Sequence, residues 1–264
     1  MIVWDWEFEI YRRRNAIIIS NMHVQDIINM QKREWEKMKR IIWAGDSTVQ
    51  TNDITTYPQT GIGQVFSLYT KDDVMVINHA KNGRSTKSFI EEGRLQRIDD
   101  TLQAGDFLFI QFGHNDEKKE DPTRYTEAYT GFRDNLAVFI DVARKHGAYP
   151  VLITPLERRC FIDANHLGVG AHSDYVAGMK QTAEQLEVPL VDLYSMSRCE
   201  LKRVKEAGSK KYYMNLEEGE YASCPKGKED NTHLRYEGAV CFAGLIAKGL
   251  KEIGGLYADL LIEQ

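Results

Sequence analysis

From Ile41 onward, short apolar runs alternate with longer segments in which apolar residues recur at helical spacing. The apolar runs predict five buried strands, at 41–44, 74–78, 106–113, 149–155 and 189–194. The longer segments predict helices at 88–102, 129–147, 173–187 and 235–254. Strands that alternate with helices favour a parallel sheet covered on both faces. The pattern therefore predicts an α/β fold built on a parallel five-stranded sheet.

The first 39 residues carry a different pattern and are predicted to form a separate N-terminal extension. Apolar residues alternate with mostly polar ones from Ile2 to Ile10, which is the period of a half-buried strand. A turn, a second strand and an amphipathic helix ending at residue 40 are predicted to follow. Because an aromatic strand with one apolar face seldom stays exposed, we expect this extension to hold a homo-oligomer together.

Charge and apolar content argue against two kinds of partner. The formal net charge is -5 and the pI is about 5.9, so the chain has no excess positive charge for a nucleic acid backbone. No stretch approaches the ~18 consecutive apolar residues of a membrane-spanning helix. A signal peptide begins with positively charged residues, whereas the first charged residues after Met1 are acidic. This difference predicts a cytoplasmic protein. The four scattered cysteines favour reduced packing residues, with one disulfide as the alternative.

Polar residues cluster at the ends of predicted strands and before the last helix. The four clusters are "GDS" at 45–47, "NGR" at 82–84, "GHND" at 113–116 and "DNTH" at 230–233. In parallel sheets of this kind, ligands bind at the carboxyl ends of the strands. We therefore expect the four clusters to line one edge of the sheet.

These clusters contain the groups that acyl transfer needs. Ser47 becomes a nucleophile once a base removes its proton, and His233 is the candidate base. Asp230 lies three residues before His233, a spacing that lets its carboxylate hold one imidazole nitrogen in a turn or an opening helix. The Ser47 amide, the Gly83 amide and the Asn115 side chain would donate hydrogen bonds to the oxyanion. This chemistry requires no metal and no cofactor.

Each residue also has a purely structural interpretation, as a helix cap, a turn glycine, a loop hydrogen-bonding group or a packing histidine. The carboxylate partner of His233 is the least determined of the assignments. Asp116 or Glu229 could orient the imidazole in place of Asp230.

Taken together, the four clusters resemble the sequence blocks of the SGNH, or GDSL-type, hydrolase family, from about residue 40 to 255. The stretches "AGDSTVQ", "NGRSTKSFIEEGRL", "FIQFGHND" and "TPLERRCF" are similar to its rhamnogalacturonan acetylesterase-like branch. The resemblance implies a flavodoxin-like three-layer α/β/α sandwich, with residues 40–264 as the catalytic domain. It also implies removal of acetyl groups from pectic sugars through an acyl-enzyme on Ser47. Gly83 and Asn115 would form the oxyanion hole, and Asp230 with His233 would complete the triad.

The chain departs from this family pattern at its N-terminus. The predicted extension has no counterpart in that pattern, and the expected absence of a signal peptide differs from secreted members. This difference favours acetylated rhamnogalacturonan oligosaccharides as substrate over polymeric pectin. An esterase for another acyl ester, such as acetylated xylan, is the main alternative. A metal-dependent phosphoesterase and a non-catalytic sugar-binding module are weaker alternatives.

Four further residues are predicted to contact substrate: Arg84, His114, Arg158 and Arg159. One of the two arginines that follow the fourth strand would pair with the carboxylate of a uronic acid, or else with a helix of the protein itself. His114 is also placed to shape the loop around Asn115. The polar segment 199–228 reads as a long irregular loop and is predicted to be a lid or binding loop.

Overall fold

The computed structural model describes residues 38–263, so the elements and the oligomerisation role predicted for the extension lie outside the described residues. The described chain contains a five-stranded parallel sheet in the order β2-β1-β3-β4-β5. The strands are β1 (Lys39–Gly45), β2 (Val74–Asn78), β3 (Phe107–Gln111), β4 (Tyr149–Ile153) and β5 (Leu190–Val191). The predicted parallel five-stranded sheet is confirmed.

Helices follow most of the strands and cover the sheet. They are α1 (Ile62–Val65), α2 (Thr86–Glu91), α3 (Arg94–Asp99), α4 (Gly131–Lys145), α5 (Ser173–Gln185), α6 (Leu193–Ser209), α7 (Tyr236–Ile253) and α8 (Gly255–Ala258). Short 3-10 helices lie at Ile54–Thr56, Phe66–Tyr69 and Lys210–Tyr212.

Alternating side chains of the buried strands build a separate core on each face of the sheet. On β1, Ile41 and Trp43 join a core with α1, α6 and α7, whereas Ile42 and Ala44 join a core with helices α2 to α5. This alternation follows from the two-residue period of a strand. The two cores make the fold a three-layer α/β/α sandwich, as the sequence predicts.

A second, two-stranded sheet lies near the C-terminal end of the chain. It pairs β6 (Tyr213–Leu216) with β7 (Lys228–Leu234) in antiparallel orientation. The prediction of an irregular loop over 199–228 is wrong for most of that segment, since α6, which is kinked at Lys205, extends to Ser209 and β6 follows closely. Within 199–228, only the connection between β6 and β7 lies outside strands and helices.

The cysteines are free thiols, which excludes the alternative of a disulfide between two of them. Cys160 and Cys199 are exposed, so the interpretation as packing residues is wrong for these two. Between residues 38 and 263, no helix is both long enough and apolar enough to cross a membrane.

Candidate active site

The strand β1 runs directly into a turn that carries Ser47. Asp46 organises this turn, because its Oδ1 accepts hydrogen bonds from the Thr48 N–H at 2.9 Å and the Thr48 hydroxyl at 2.8 Å. A Cβ on Gly45 would lie 3.1 Å from the carbonyl oxygen of Gln111, so a larger residue would crowd β3. The turn therefore holds Ser47 at the carboxyl edge of the sheet, with 7% of the residue exposed.

The small sheet contains a bulge on β7. Tyr213 lies opposite Leu234, and the next residue of β6, Met214, lies opposite Asp230. Residues 231–233 therefore stand between two consecutive paired positions. Extra residues of this kind bend a strand and redirect its side chains. The histidine of the "DNTH" cluster is the last residue of this bulge.

The Asp230 carboxylate shapes the bulge and holds the His233 ring. Its Oδ1 accepts hydrogen bonds from the N–H groups of Thr232 at 2.9 Å and His233 at 3.0 Å, and its Oδ2 lies 2.7 Å from Nδ1 of His233. The Lys228 ammonium also pairs with Oδ2, at 2.9 Å. Burial opposes ionisation of Asp230, but the hydrogen bonds from His233 outweigh it and hold the pKa well below its usual range.

The other imidazole nitrogen faces the serine. Nε2 of His233 lies 3.0 Å from Oγ of Ser47. Because Nδ1 faces a carboxylate, the hydrogen-bond network assigns the proton to Nδ1 and leaves Nε2 as an acceptor. The structure thus joins Ser47, His233 and Asp230 in one line of contacts, in which an imidazole can remove the serine proton.

Gly83 lies in the turn between β2 and α2. Its φ of +76° falls in the left-handed region, which glycine adopts without the steric cost that other residues meet. A Cβ at this position would have space, with Arg124 Nη1 the nearest atom at 3.7 Å. The backbone conformation is therefore the main reason for glycine here.

Asn115 follows β3 and is connected to the Gly83 turn. Its Nδ2 donates a hydrogen bond to the carbonyl oxygen of Arg84 at 3.1 Å, and the residue is 4% exposed. Within the described part of the chain, the N–H groups of Ser47 and Gly83 make no hydrogen bond to a backbone carbonyl. Three N–H donors predicted for an oxyanion hole thus come from neighbouring turns.

The family assignment rests on a sequence comparison. The model of the GDSL-like Lipase/Acylhydrolase family matches residues 44–219. The chain belongs to this family. The matched segment contains Ser47, Gly83 and Asn115 and ends before Asp230 and His233.

Relatives of this GDSL-like protein align over most of its length. Rhamnogalacturonan acetylesterase RhgT of Bacillus subtilis (strain 168) is 39% identical over 229 residues, which cover 87% of this chain and 97% of that protein. Probable rhamnogalacturonan acetylesterase YesY of the same organism is 42% identical over 224 residues, covering 85% and 98%. The similarity therefore extends well beyond the four sequence blocks.

Solved structures show the same fold. YXIM of Bacillus subtilis superposes with a TM-score of 0.70 at 25% identity, covering 83% of this chain and 58% of that chain. A catalytic mutant of Axe2, an acetylxylan esterase from Geobacillus stearothermophilus, gives a TM-score of 0.55 at 14% identity, with coverages of 86% and 97%. The second likeness concerns the fold alone.

The two arginines after β4 support the bulge. Arg158 Nη1 donates to the Thr232 hydroxyl at 2.9 Å, and Arg159 Nη1 donates to Asn231 Oδ1 at 3.0 Å. Arg159 is 6% exposed and also pairs with Glu206. The prediction that Arg159 contacts substrate is therefore corrected, because its side chain is buried against the protein itself. Arg158 is partly exposed, but its guanidinium is already bound to the bulge.

His114 is also buried rather than open to substrate. It is 3% exposed, and its ring lies 4.2 Å from that of His172, whose Nδ1 is 2.6 Å from Glu117 Oε2. Nδ1 of His114 is 3.4 Å from Asp46 Oδ2, too long for a good hydrogen bond. Burial lowers the pKa of His114 to about 4, with a further contribution from His172 and opposition from Asp46. His114 is thus a neutral packing group beneath the serine turn, which corrects the prediction of substrate contact.

Like Arg158, Arg84 is a predicted substrate residue whose side chain is partly exposed. It lines a cavity of about 320 Å³ beside Gly83. Its Nε donates to Glu92 at 2.9 Å, and its side chain is 30% exposed.

A second cavity, of about 400 Å³, contains Tyr57, Thr60 and Tyr236 in its lining. The Thr60 N–H donates to the Leu234 carbonyl, so this cavity adjoins the residue after His233.

Two residues that contact the site were not predicted from the sequence. Lys228 lies two positions before Asp230 on β7, and the two-residue strand period could have indicated that they share a face. Arg124 contacts Asn115, but it lies in a polar connection without a recognisable pattern. Within residues 38–263, no group of three or more His, Cys, Asp or Glu side chains is arranged to hold a metal ion.

Asp116 stabilises the turn before α2 and is not in contact with His233. It is fully buried, and its Oδ1 accepts hydrogen bonds from the Thr86 N–H at 3.0 Å and from the hydroxyls of Thr86 and Thr126. Burial raises the pKa of Asp116 to about 7, although the hydrogen bonds from Thr86 oppose the shift. The structure therefore places this carboxyl outside the triad.

Asp116→Asn is expected to flatten part of the pH dependence of stability. Because the folded pKa lies above the unfolded value of about 3.9, the folded state binds the extra proton and loses stability as pH rises from about 4 to 7. Asparagine cannot titrate. Urea unfolding at pH 4.5 and 7.5 should show a smaller loss of unfolding free energy for the variant. Equal losses in both proteins would contradict the shifted pKa.

Proposed function

We propose that this protein is a serine esterase that removes acetyl groups from acetylated rhamnogalacturonan oligosaccharides. The observation that carries the proposal is the line of contacts from Asp230 through His233 to Ser47, with distances of 2.7 and 3.0 Å. Such a line activates a serine hydroxyl, and a carboxylic ester is the substrate class that this nucleophile attacks.

In the first half of the reaction, Ser47 Oγ attacks the acetyl carbonyl carbon while Nε2 of His233 takes the hydroxyl proton. The carbonyl oxygen becomes an oxyanion that accepts hydrogen bonds from the Ser47 and Gly83 amides and the Asn115 side chain. Asp230 stabilises the imidazolium through Nδ1. The bond from the carbonyl carbon to the sugar oxygen then breaks, and His233 returns the proton to that oxygen. The products are a free sugar hydroxyl and an acetyl ester on Ser47.

In the second half, water replaces the sugar. His233 removes a proton from the water as it attacks the acetyl carbon, and the same donors bind the second oxyanion. Breakage of the bond to Ser47 Oγ releases acetate, and His233 reprotonates the serine. His233 must be neutral to act as base in each half.

Two observations support an acetylated pectic substrate. The relatives that align over most of the chain carry the name rhamnogalacturonan acetylesterase, preceded by 'probable' for one of the two. Two cavities, one lined by Gly83 and Arg84 and the other by Tyr57 and Tyr236, give room for sugar units. Exposed Tyr57 and Tyr236 in the second cavity are residue types that pack against sugar rings.

The cytoplasmic location and the homo-oligomer stay predictions from the sequence.

The deciding experiment is acetate release from acetylated rhamnogalacturonan oligosaccharides and from acetylated xylan oligosaccharides, both in EDTA. We expect release that favours the pectic substrate and disappears in Ser47→Ala, because this mechanism uses a serine and no metal. Released acetate is measured by a coupled enzymatic assay over matched substrate concentrations.

Each other outcome points to a named alternative. Serine-dependent release from xylan alone would keep the mechanism and reject the pectic substrate. Release that persists in Ser47→Ala would reject the mechanism. Release that needs an added divalent cation would favour the metal-dependent alternative. Sugar binding without release in the folded protein would favour a binding module.

A further inference from the structure

The Asn115 carboxamide is held at both ends. Its Nδ2 donates to the Arg84 carbonyl oxygen at 3.1 Å, and its Oδ1 accepts a hydrogen bond from Arg124 Nη1 at 3.3 Å. A carboxamide nitrogen carries two hydrogens, so one N–H remains after the bond to Arg84. That second N–H is the one that an oxyanion can use.

These two contacts select one of the two orientations of the carboxamide. Rotation of the amide by 180° would bring Oδ1 against the Arg84 carbonyl oxygen and Nδ2 against the Arg124 guanidinium. Both new contacts would be repulsive, because like partial charges would face each other. Without Arg124, the oxygen of Asn115 loses its donor, and the preference for the observed orientation rests on a single hydrogen bond.

Arg124 is itself held in place. Its Nε donates to Asp121 Oδ2 at 2.6 Å, and its Nη2 lies at 2.6 Å from the same oxygen. The backbone N–H of Arg124 donates to the Asp121 carbonyl at 3.1 Å. Nη1 is the remaining corner of the guanidinium. It is directed at Asn115 and lies beside Gly83, 3.7 Å from the point that a Cβ there would occupy.

We propose that Arg124 is a positioning residue for the oxyanion hole, holding the Asn115 carboxamide so that its free N–H faces the developing oxyanion. This inference rests on the esterase function proposed above. Asp121 offsets much of the guanidinium charge, so orientation of the amide is the main effect of Arg124.

The test compares Arg124→Gln with the wild type on 4-nitrophenyl acetate, which has no sugar and no carboxylate. A misoriented donor weakens binding of the oxyanion but not of the neutral ester, so kcat should fall roughly 10-fold with KM changed less than about twofold. Arg124→Lys keeps a donor and should recover part of the loss. Arg94→Gln is the matched control, because Arg94 pairs with Glu92 at the same cavity and does not contact Asn115.

A double-mutant comparison separates positioning from other roles. In an Asn115→Ala background, Arg124→Gln should cost less than about twofold, because the group that Arg124 orients is gone. An equal loss in both backgrounds would overturn the proposal. Unchanged kcat in Arg124→Gln would overturn it too, as would a rise in KM confined to uronate-containing oligosaccharides, which would indicate contact with a substrate carboxylate.

A readout without turnover keeps the inference separate from the proposed function. The side-chain amide resonances of Asn115, assigned by their loss in Asn115→Ala, should shift and broaden in Arg124→Gln but not in Arg94→Gln. Unchanged resonances would overturn the positioning role. Absence of serine-dependent hydrolysis by the wild type would instead count against the esterase function, whatever the resonances show.

Discussion

Ser47→Ala is expected to lower kcat for acetate release by roughly 10⁴-fold or more, because no covalent intermediate can form without Oγ. The fold should be retained, since the turn around Ser47 is held by Asp46, Thr48 and Gly45 rather than by the serine side chain. Acetate release under substrate saturation measures the loss, and far-ultraviolet circular dichroism checks the fold. A folded variant with full activity would reject the nucleophile.

The same loss is expected for His233→Ala, and the double variant Ser47→Ala/His233→Ala should be no worse than either single variant. Serine and histidine act as one unit, because the base serves no purpose without the hydroxyl that it activates. Their direct contact of 3.0 Å is the structural basis for this non-additivity. Independent, multiplying losses would show that the two side chains act in separate steps.

Asp230→Asn is expected to lower kcat by roughly 10³-fold to 10⁴-fold. The asparagine oxygen can still accept the backbone N–H groups of the bulge, so the geometry around His233 should survive. Its amide group, however, would donate to Nδ1 and place the imidazole proton on Nε2. In that tautomer His233 cannot accept the proton of Ser47. Steady-state kinetics at neutral pH measure the effect.

Glu229→Gln is the matched control for this prediction. Glu229 is the adjacent residue of the same strand, is exposed, and pairs across the small sheet with Asn215. From the sequence alone, Glu229 was an alternative to Asp230 as the carboxylate that orients His233. We expect activity within about twofold of the wild type. A large loss in Glu229→Gln with little loss in Asp230→Asn would exchange the two roles.

Helix α6 shows why part of the fold was not predicted. The apolar run at 189–194 predicts a strand that ends at residue 194. In the structure, the Asp192 side chain accepts a hydrogen bond from the Ser195 N–H at 3.1 Å, and a helix begins at Leu193. The buried residues Leu193, Ser197 and Leu201 follow at helical spacing. The helix also carries many charged residues, and one of its buried positions is a serine. The apolar helical pattern is therefore weak, and the sequence from residue 199 onward is typical of a loop.

The candidate triad, too, was predicted in part from the sequence and decided in part by the tertiary structure. Residue types and order along the chain were enough to select Ser47, His233 and Asp230, although Asp116 and Glu229 were open as alternatives. The bulge decided among them, because it brings Asp230 Oδ2 to 2.7 Å from the imidazole. Asp116 instead accepts hydrogen bonds from the N–H and the hydroxyl of Thr86.

The sequence by itself determined the α/β class, the parallel sheet and the chemical groups of the site, because strand period, helix period and residue type are local properties. Only the tertiary structure decided which polar residues are buried against the protein and which stay accessible. Arg159 contacts Asn231 across 72 residues, and Arg158 contacts Thr232 across 74. Such partners depend on how separate elements pack, and no local pattern encodes that packing.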